Sequence, residues 1–171
     1  TTLAQAVAAR SRRPAVYVVA LADVVPGADL VRVLLDALGS PPVADAEARR
    51  SLTAALAAPG TLLVLDNCEH LAEEVADLVG PLLATCADLR VLATSRRRLD
   101  LGAERVHRLE PLDPASSAGL FRARALAARP DQMIDEADLE ELLGRLEGIP
   151  LAIELAAART RTLSVGQIAA R

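Results

Sequence analysis

The sequence predicts an α/β domain built on a parallel sheet, followed by a smaller all-α subdomain. Apolar segments of strand length alternate with helical segments along the first part of the chain, which is typical of a parallel, doubly wound sheet. After Pro111 only helical patterns remain. Apolar residues make up 52% of the chain, yet only Tyr17 and Phe121 are aromatic, so aliphatic side chains must form the core.

Turn residues set the limits of the predicted elements. Pro26-Gly27 precedes one helix, the Gly39–Pro42 stretch ends it, and Pro59-Gly60 leads into a strand. Strands are expected at 15–21, 61–66 and 89–94, with a short one at 105–109. Helices are expected at 2–10, 28–38, 44–57, 71–85, 115–128, 136–146, 150–160 and from 164 onward. Residues 1–111 would then form the α/β core and 112–171 the helical subdomain.

Charge and cysteine usage exclude several classes of function. A net charge of -4 argues against a nucleic-acid-binding surface within these residues. No apolar run reaches about 18 residues, so we expect no membrane span. Cys68 and Cys86 fit no zinc-binding spacing and are consistent with reduced thiols in the cytoplasm.

The segment from Thr61 to Leu71 (TLLVLDNCEHL) is the most informative part of the chain. Its four consecutive apolar residues predict a strand buried on both faces, and the strand runs directly into Asp66. Ligands of such sheets bind where the strands end, so this carboxylate is placed for chemistry. A second buried strand ends in Arg96, and a Gly148-x-Pro150 turn opens an apolar helix.

Taken together, the segments LLVLDNCEHL, LATSR and GIPLAIELAAAR resemble the STAND class of P-loop ATPases. They are most similar to the NB-ARC-type nucleotide-binding domains of bacterial AfsR- and LuxR-type transcriptional regulators. The resemblance implies a P-loop NTPase-type sheet followed by a helical lid. It also implies a cytoplasmic switch that binds ATP or ADP with Mg²⁺ and hydrolyses ATP slowly. Such a switch changes conformation or self-associates, and it contacts DNA only through domains outside these residues.

The resemblance also implies roles for individual residues. Asp66 would hold the magnesium ion, Arg96 would meet the terminal phosphate, and Pro150 would pack against the nucleotide base. Asn67 stands where many relatives carry a second acid, so Glu69 is the nearest candidate for activating water.

The start of the chain resembles the segment that follows a phosphate-binding loop. Such a loop needs a Gly-x-x-x-x-Gly-Lys-Ser/Thr pattern, and the chain contains no lysine. Thr1 and Thr2, followed by a helix, nevertheless look like the residues that come after Gly-Lys, where a threonine binds magnesium and nucleotide. We therefore expect the chain to begin just after that lysine, without the family's first strand. An ordinary N-terminal helix is the alternative.

Simpler structural roles remain open for each candidate. Asp66 could cap a helix, Glu69 could be an exposed carboxylate of a first helical turn, and Arg96 could be solvated. Cys68 and His70 are expected to pack or cap and not to form a nucleophile–base pair, because no third orienting group accompanies them.

Two expectations concern the helical subdomain. Five leucines are predicted to be buried there: Leu142, Leu143, Leu146, Leu151 and Leu155. Glu154 is predicted to pair with an arginine such as Arg159. For the whole chain, the alternatives to a nucleotide switch are a nucleotide-free scaffold that mediates protein–protein interaction and a different P-loop ATPase enzyme.

Overall fold

The computed structural model describes all of residues 1–171 and divides them into two compact units, Thr1–Val106 and His107–Arg171. The sequence placed the corresponding boundary between 111 and 112. Each unit has its own hydrophobic core, the first around a parallel sheet and the second among helices.

The sheet of the first unit has three parallel strands, β1 (Ala15–Ala20), β2 (Thr61–Asp66) and β3 (Arg90–Ala93), in the order β1-β2-β3. The predicted α/β class with a parallel sheet is therefore confirmed. Every residue of β2 is buried, as expected for the central strand of a sheet that helices cover. Ala20 of β1 pairs with Asp66, and Ala93 of β3 pairs with Leu65, so the carboxyl ends of all three strands lie at one edge.

The helices of this unit are α1 (Thr2–Arg10), α2 (Leu30–Ala37), α3 (Asp45–Leu56) and α4 (Ala72–Thr85), with a 3-10 turn at Glu69–Leu71. One sheet face, which includes Leu63 and Leu65, packs with α2, α3 and α4 in the large core. The other face presents Leu62 and Val64 to two small residues of α1, Ala4 and Ala8.

The second unit consists of α5 (Pro114–Ala128), α6 (Glu136–Leu146), α7 (Pro150–Ala158), a 3-10 turn at Arg159–Arg161 and α8 (Val165–Ala169). Asp113 caps α5, and its carboxylate accepts a hydrogen bond from the Ser116 N–H. Phe121 and Ile153 are fully buried in the core between the helices. None of the helices in the molecule combines the length and the apolar character needed to span a membrane.

The strand expected at 105–109 is absent, and this prediction was wrong. Residues 105–110 are all exposed, so the apolar side chains of Val106 and Leu109 find no core and the segment finds no partner strand. His107 accordingly lies on the surface. A strand without a buried face or a neighbour gains too little to remain ordered as a strand.

The expected burial of two leucines of α7 was wrong, whereas Glu154 does pair with an arginine, although not with Arg159. Leu151 and Leu155 are 65% and 60% exposed, because the helix buries Ile153, Ala156 and Ala157 and therefore turns the two leucines outward. Glu154 pairs with Arg124 of α5, 2.9 Å away, because α5 packs directly beside α7. Of the other predicted core leucines, Leu142 is buried and Leu143 and Leu146 pack partly buried against the same core.

The turn before α7 requires a glycine. Gly148 has a φ of +69°, and its carbonyl accepts a hydrogen bond of 2.8 Å from the Leu112 N–H. A Cβ at this position would lie 2.3 Å from the Leu112 carbonyl oxygen. Both the backbone conformation and the close approach exclude a side chain.

Gly148→Ala should therefore destabilise the second unit by about 2 kcal/mol or more, because strain and a steric clash act together. Gly144→Ala is the matched control, since Gly144 lies within α6 with open space around it. That variant should gain about 0.5–1 kcal/mol from helix propensity. Thermal and denaturant unfolding of both variants measures the difference, and equal effects would contradict this account.

Candidate functional site

Asp66 is the last residue of β2 and is buried at the carboxyl edge of the sheet. Its Oδ1 atom accepts a hydrogen bond of 2.6 Å from the Thr94 hydroxyl and one of 3.0 Å from the Thr1 hydroxyl. A buried carboxylate needs such partners, because unpaired burial of a charge is costly.

Thr94, directly after β3, joins the ends of the two strands. Its hydroxyl accepts a hydrogen bond of 2.9 Å from the Asn67 N–H in addition to the one it donates. Its backbone N–H donates to the Leu65 carbonyl, and its carbonyl accepts from the Cys68 N–H. The turn that follows Asp66 is thus held through both the side chain and the backbone of one residue.

Asn67 has a left-handed backbone conformation, with φ of +68°. Asparagine tolerates this region better than most residues because its short polar side chain can interact locally. The positive φ redirects the chain from β2 into the 3-10 turn at Glu69–Leu71. As a result, Glu69 follows Asp66 at the same edge of the sheet.

The pKa of Asp66 lies below its ordinary value of 3.8. Burial by itself raises this pKa, and the hydrogen bonds that the Thr94 and Thr1 hydroxyls donate to the carboxylate lower it. The carboxylate is therefore ionised at neutral pH and available as an oxygen ligand.

Glu69 and Arg96 form an ion pair, with 2.8 Å between the Arg96 Nε and the Glu69 Oε1 atoms. The Arg96 side chain is 85% exposed, whereas that of Glu69 is 16% exposed. Burial by itself raises the pKa of Glu69. The hydrogen bond from its own backbone N–H and the Arg96 guanidinium lower this pKa by more, so it lies below its ordinary value. Arg96, predicted to meet the terminal phosphate, is therefore paired with Glu69, the predicted candidate for activating water.

The predicted site residues are brought together only in part. Asp66 contacts Thr1, whereas Thr2 is exposed and makes no hydrogen bond to the carboxylate. Arg96 follows β3 at the edge where Asp66 lies, but its partner is Glu69. Pro150 is exposed at the first position of α7 in the second unit, and its contact with a nucleotide base stays a prediction.

The neighbouring Cys68 and His70 do not form a nucleophile–base pair. Burial, together with the nearby charges of Glu69 and Asp66, raises the pKa of the Cys68 thiol to about 12. The Cys68 Sγ atom lies 3.5 Å from the Leu65 carbonyl oxygen, and the His70 Nε2 atom lies 2.9 Å from the Val24 carbonyl oxygen. Both side chains therefore have structural contacts, as the sequence indicated.

The two arginines after Arg96 lie against the start of α4. Arg97 pairs loosely with Glu73, at 3.8 Å. Arg98 makes no ion pair, and with Arg97 it lines a shallow depression of about 310 Å³ beside Glu73 and Asp77. The acidic lining offsets the positive charge, so this depression does not favour an anion.

No group of three or more His, Cys, Asp or Glu side chains is arranged so that it could hold a metal ion by itself. Magnesium, however, is commonly held by one or two carboxylates, with water and phosphate oxygens completing the shell. The oxygen atoms of Asp66 and Thr1 fit that donor set, and they lie side by side.

Sequence reasoning missed Thr94. It lies inside the LATSR segment that was used for the resemblance, but only the arginine of that segment received a role. A signal was present, because a hydroxyl residue directly after a strand of a parallel sheet lies beside the residue that ends the neighbouring strand. Its partner could be identified only once the pairing of β2 with β3 was known.

The fold and the site define an α/β protein with an ionised carboxylate at the carboxyl edge of a parallel sheet. The chain is 40% identical over 141 residues to uncharacterized proteins of Mycobacterium tuberculosis and Mycobacterium bovis, covering 80% of this chain and 36% of each relative. It is 44% identical over 112 residues to a Mycobacterium tuberculosis protein named "Putative HTH-type transcriptional regulator", covering 63% of this chain and 13% of that protein. No family model matches the chain.

The lowered pKa of Asp66 predicts a specific pH dependence of stability. A carboxylate with a depressed folded-state pKa contributes stability above its ordinary value of 3.8, and this contribution is lost as the pH falls through the lowered value. The difference in unfolding free energy between the wild type and Asp66→Asn should therefore be constant at neutral pH and shrink below about pH 5. Urea unfolding between pH 7 and pH 3 measures it, and a difference that grows on acidification would refute the assignment.

The buried Cys68 thiol should be unreactive in the folded protein. With a pKa of about 12, almost none of it is thiolate at pH 8, and burial blocks access as well. Iodoacetamide labelling followed by peptide mass spectrometry should show no native modification of Cys68 and complete modification in guanidinium. Rapid native labelling would show that the thiol is accessible.

Proposed function

We propose that these residues form the nucleotide-binding switch module of a transcriptional regulator, which binds ATP or ADP with Mg²⁺. The observation that carries this proposal is the position of Asp66, an ionised carboxylate at the carboxyl edge of a buried parallel strand with the Thr1 hydroxyl beside it. Ligands of open α/β sheets bind outside this edge. The putative-regulator relative supports the cellular context.

In this proposal Asp66 and Thr1 hold the magnesium ion, which would neutralise charge on the phosphates when bound. Arg96 is the group that meets the terminal phosphate, because its planar guanidinium can donate to two oxygens at once. The Arg96 side chain is largely exposed and is held only by its ion pair with Glu69, so it can turn toward a ligand.

The ion pair between Glu69 and Arg96 would act as the switch, because it must break when Arg96 binds a phosphate. A phosphate that recruits Arg96 competes with Glu69 for the same guanidinium, and the freed carboxylate can then orient or deprotonate water. While the Arg96 Nε atom donates to Glu69, that carboxylate is engaged and is not free to activate water. Hydrolysis would therefore be slow and would time a conformational change, because both groups must first separate.

We further propose that these residues are part of a longer, cytoplasmic protein that supplies DNA contact and the phosphate loop. DNA contact is assigned to domains outside these residues, in keeping with the net charge of -4 and with the small part of the regulator relative that the chain matches. The lysine-bearing phosphate loop is likewise assigned to a segment outside them. Self-association of the nucleotide-bound form is part of the same proposal.

The test uses the full-length protein and separates binding from turnover. Mg·ATP and Mg·ADP should raise the unfolding midpoint of the wild type, since a ligand of the native state stabilises it. Asp66→Asn should weaken Mg²⁺-dependent nucleotide binding about 10–100-fold. Arg96→Ala should weaken ATP binding more than ADP binding, because Arg96 is assigned to the terminal phosphate. Calorimetric titration and phosphate release provide the two readouts.

Two control substitutions match these variants. Asp36→Asn removes an exposed carboxylate that makes no ion pair, and Arg90→Ala removes an exposed arginine at the opposite end of β3. Both should bind nucleotide as the wild type does. A wild-type protein whose midpoint does not change with millimolar Mg·ATP would reject the switch and favour a nucleotide-free scaffold.

A further inference from the structure

We propose that Thr94 is the positioning residue of this site, which holds the Asp66 carboxylate so that its Oδ2 atom faces the ligand. The inference rests on the proposed function, because it concerns how the carboxylate meets magnesium. It assigns to Thr94 a role that acts through Asp66 and requires no contact with the nucleotide.

The direction of the Thr94 hydroxyl proton follows from its two hydrogen bonds. The Asn67 N–H can only donate, so it must use a lone pair of the Thr94 oxygen, at 2.9 Å. The single hydroxyl proton is then left for the Asp66 Oδ1 atom, at 2.6 Å. This distance is in the short range typical of a hydroxyl that donates to a charged oxygen. The Asn67 turn therefore fixes the orientation of the hydroxyl.

All contacts of the Asp66 carboxylate fall on one oxygen. The hydroxyls of Thr94 and Thr1 both donate to Oδ1, and no protein group hydrogen-bonds to Oδ2. Oδ2 is also not a buried atom without a partner, since the one such side-chain atom is Gln132 Oε1. It therefore keeps some accessible surface, and no protein group occupies its lone pairs.

Thr94 is anchored more firmly than Thr1. Its backbone bonds Leu65 and Cys68 across the strand ends, which fixes its main chain, and its hydroxyl is held between the Asn67 N–H and the Asp66 carboxylate. Thr1 lies at the start of a short helix, and its side chain is 60% exposed. Groups that orient a ligating carboxylate in this way contribute to metal affinity without touching the metal.

A purely structural role for Thr94, in which it only satisfies the Asn67 N–H, makes a different prediction. It would stabilise the turn regardless of what occupies position 66. A positioning role requires that the effect of Thr94 depend on Asp66 and appear in the magnesium-dependent part of binding. The two roles can therefore be separated by measurement.

The experiment compares Thr94→Val and Thr94→Ser in the full-length protein. Valine keeps the shape and backbone bonds but removes the hydroxyl, whereas serine keeps the hydroxyl. Mg²⁺ is titrated at fixed ATP, and nucleotide affinity is measured separately with EDTA. Thr94→Val should lower Mg²⁺ affinity about 10–100-fold and leave Mg²⁺-free nucleotide affinity unchanged, while Thr94→Ser stays within about threefold of wild type.

A double-mutant cycle of unfolding free energies for Thr94 and Asp66 provides a readout that needs no ligand. Thr94→Val should lower the folding equilibrium constant by about tenfold when Asp66 is present and by less than about threefold in an Asp66→Ala background. An equal loss in both backgrounds would show that Thr94 serves the Asn67 turn and would overturn the inference. If Asp66→Ala does not fold, the magnesium titration alone decides.

The outcomes separate this inference from the proposed function. Nucleotide binding that depends on Asp66 but is unchanged by Thr94→Val would overturn the role of Thr94 and leave the switch intact. Equal losses with Mg²⁺ and with EDTA would also overturn it, since they indicate a general disturbance. A wild-type protein that binds no nucleotide would overturn both, and that pattern is distinct from the first two.

Discussion

The buried carboxylate of Asp66 is the constraint on which the site depends. A charge at the end of a fully buried strand is stable only if donors surround it, and here the donors come from the start of α1 and from the residue after β3. The need to satisfy this charge therefore ties three separate parts of the chain to one edge of the sheet. The ends of β2 and β3 are set by the same bonds that prepare the carboxylate for a ligand.

The main elements of the fold could be predicted from the sequence because their signals were local. The apolar run of β2 and the turn residues around it placed that strand, and the loss of strand signals after Pro111 separated the sheet from the helices. The predicted strand at 105–109 failed because two apolar residues among charged ones do not show whether a core is available. The exposure of Leu151 and Leu155 could not be predicted either, since α7 is apolar on nearly every side and its buried face depends on where α5 lies.

The candidate site could be predicted only as a set of residues. The acid of β2 and the arginine after β3 were found from their positions at strand ends, but their partners were not. The pairing of Arg96 with Glu69 arises because the left-handed turn at Asn67 returns Glu69 to the sheet edge. Thr94 was overlooked for a related reason. Its role depends on hydrogen bonds to the end of the neighbouring strand β2, and the sequence does not show which strands are neighbours.

One face of the sheet is covered only by helix α1, and this affects the lifetime of the contact between Thr1 and Asp66. Helix α1 has 9 residues and buries only the methyl groups of Ala4 and Ala8, so little apolar area holds it in place. Its detachment is a local opening that needs far less energy than global unfolding, and amide exchange would report it first. Each such opening removes Thr1 from Asp66. The lifetime of that contact therefore depends on how well one small helix packs against Leu62 and Val64 of the sheet.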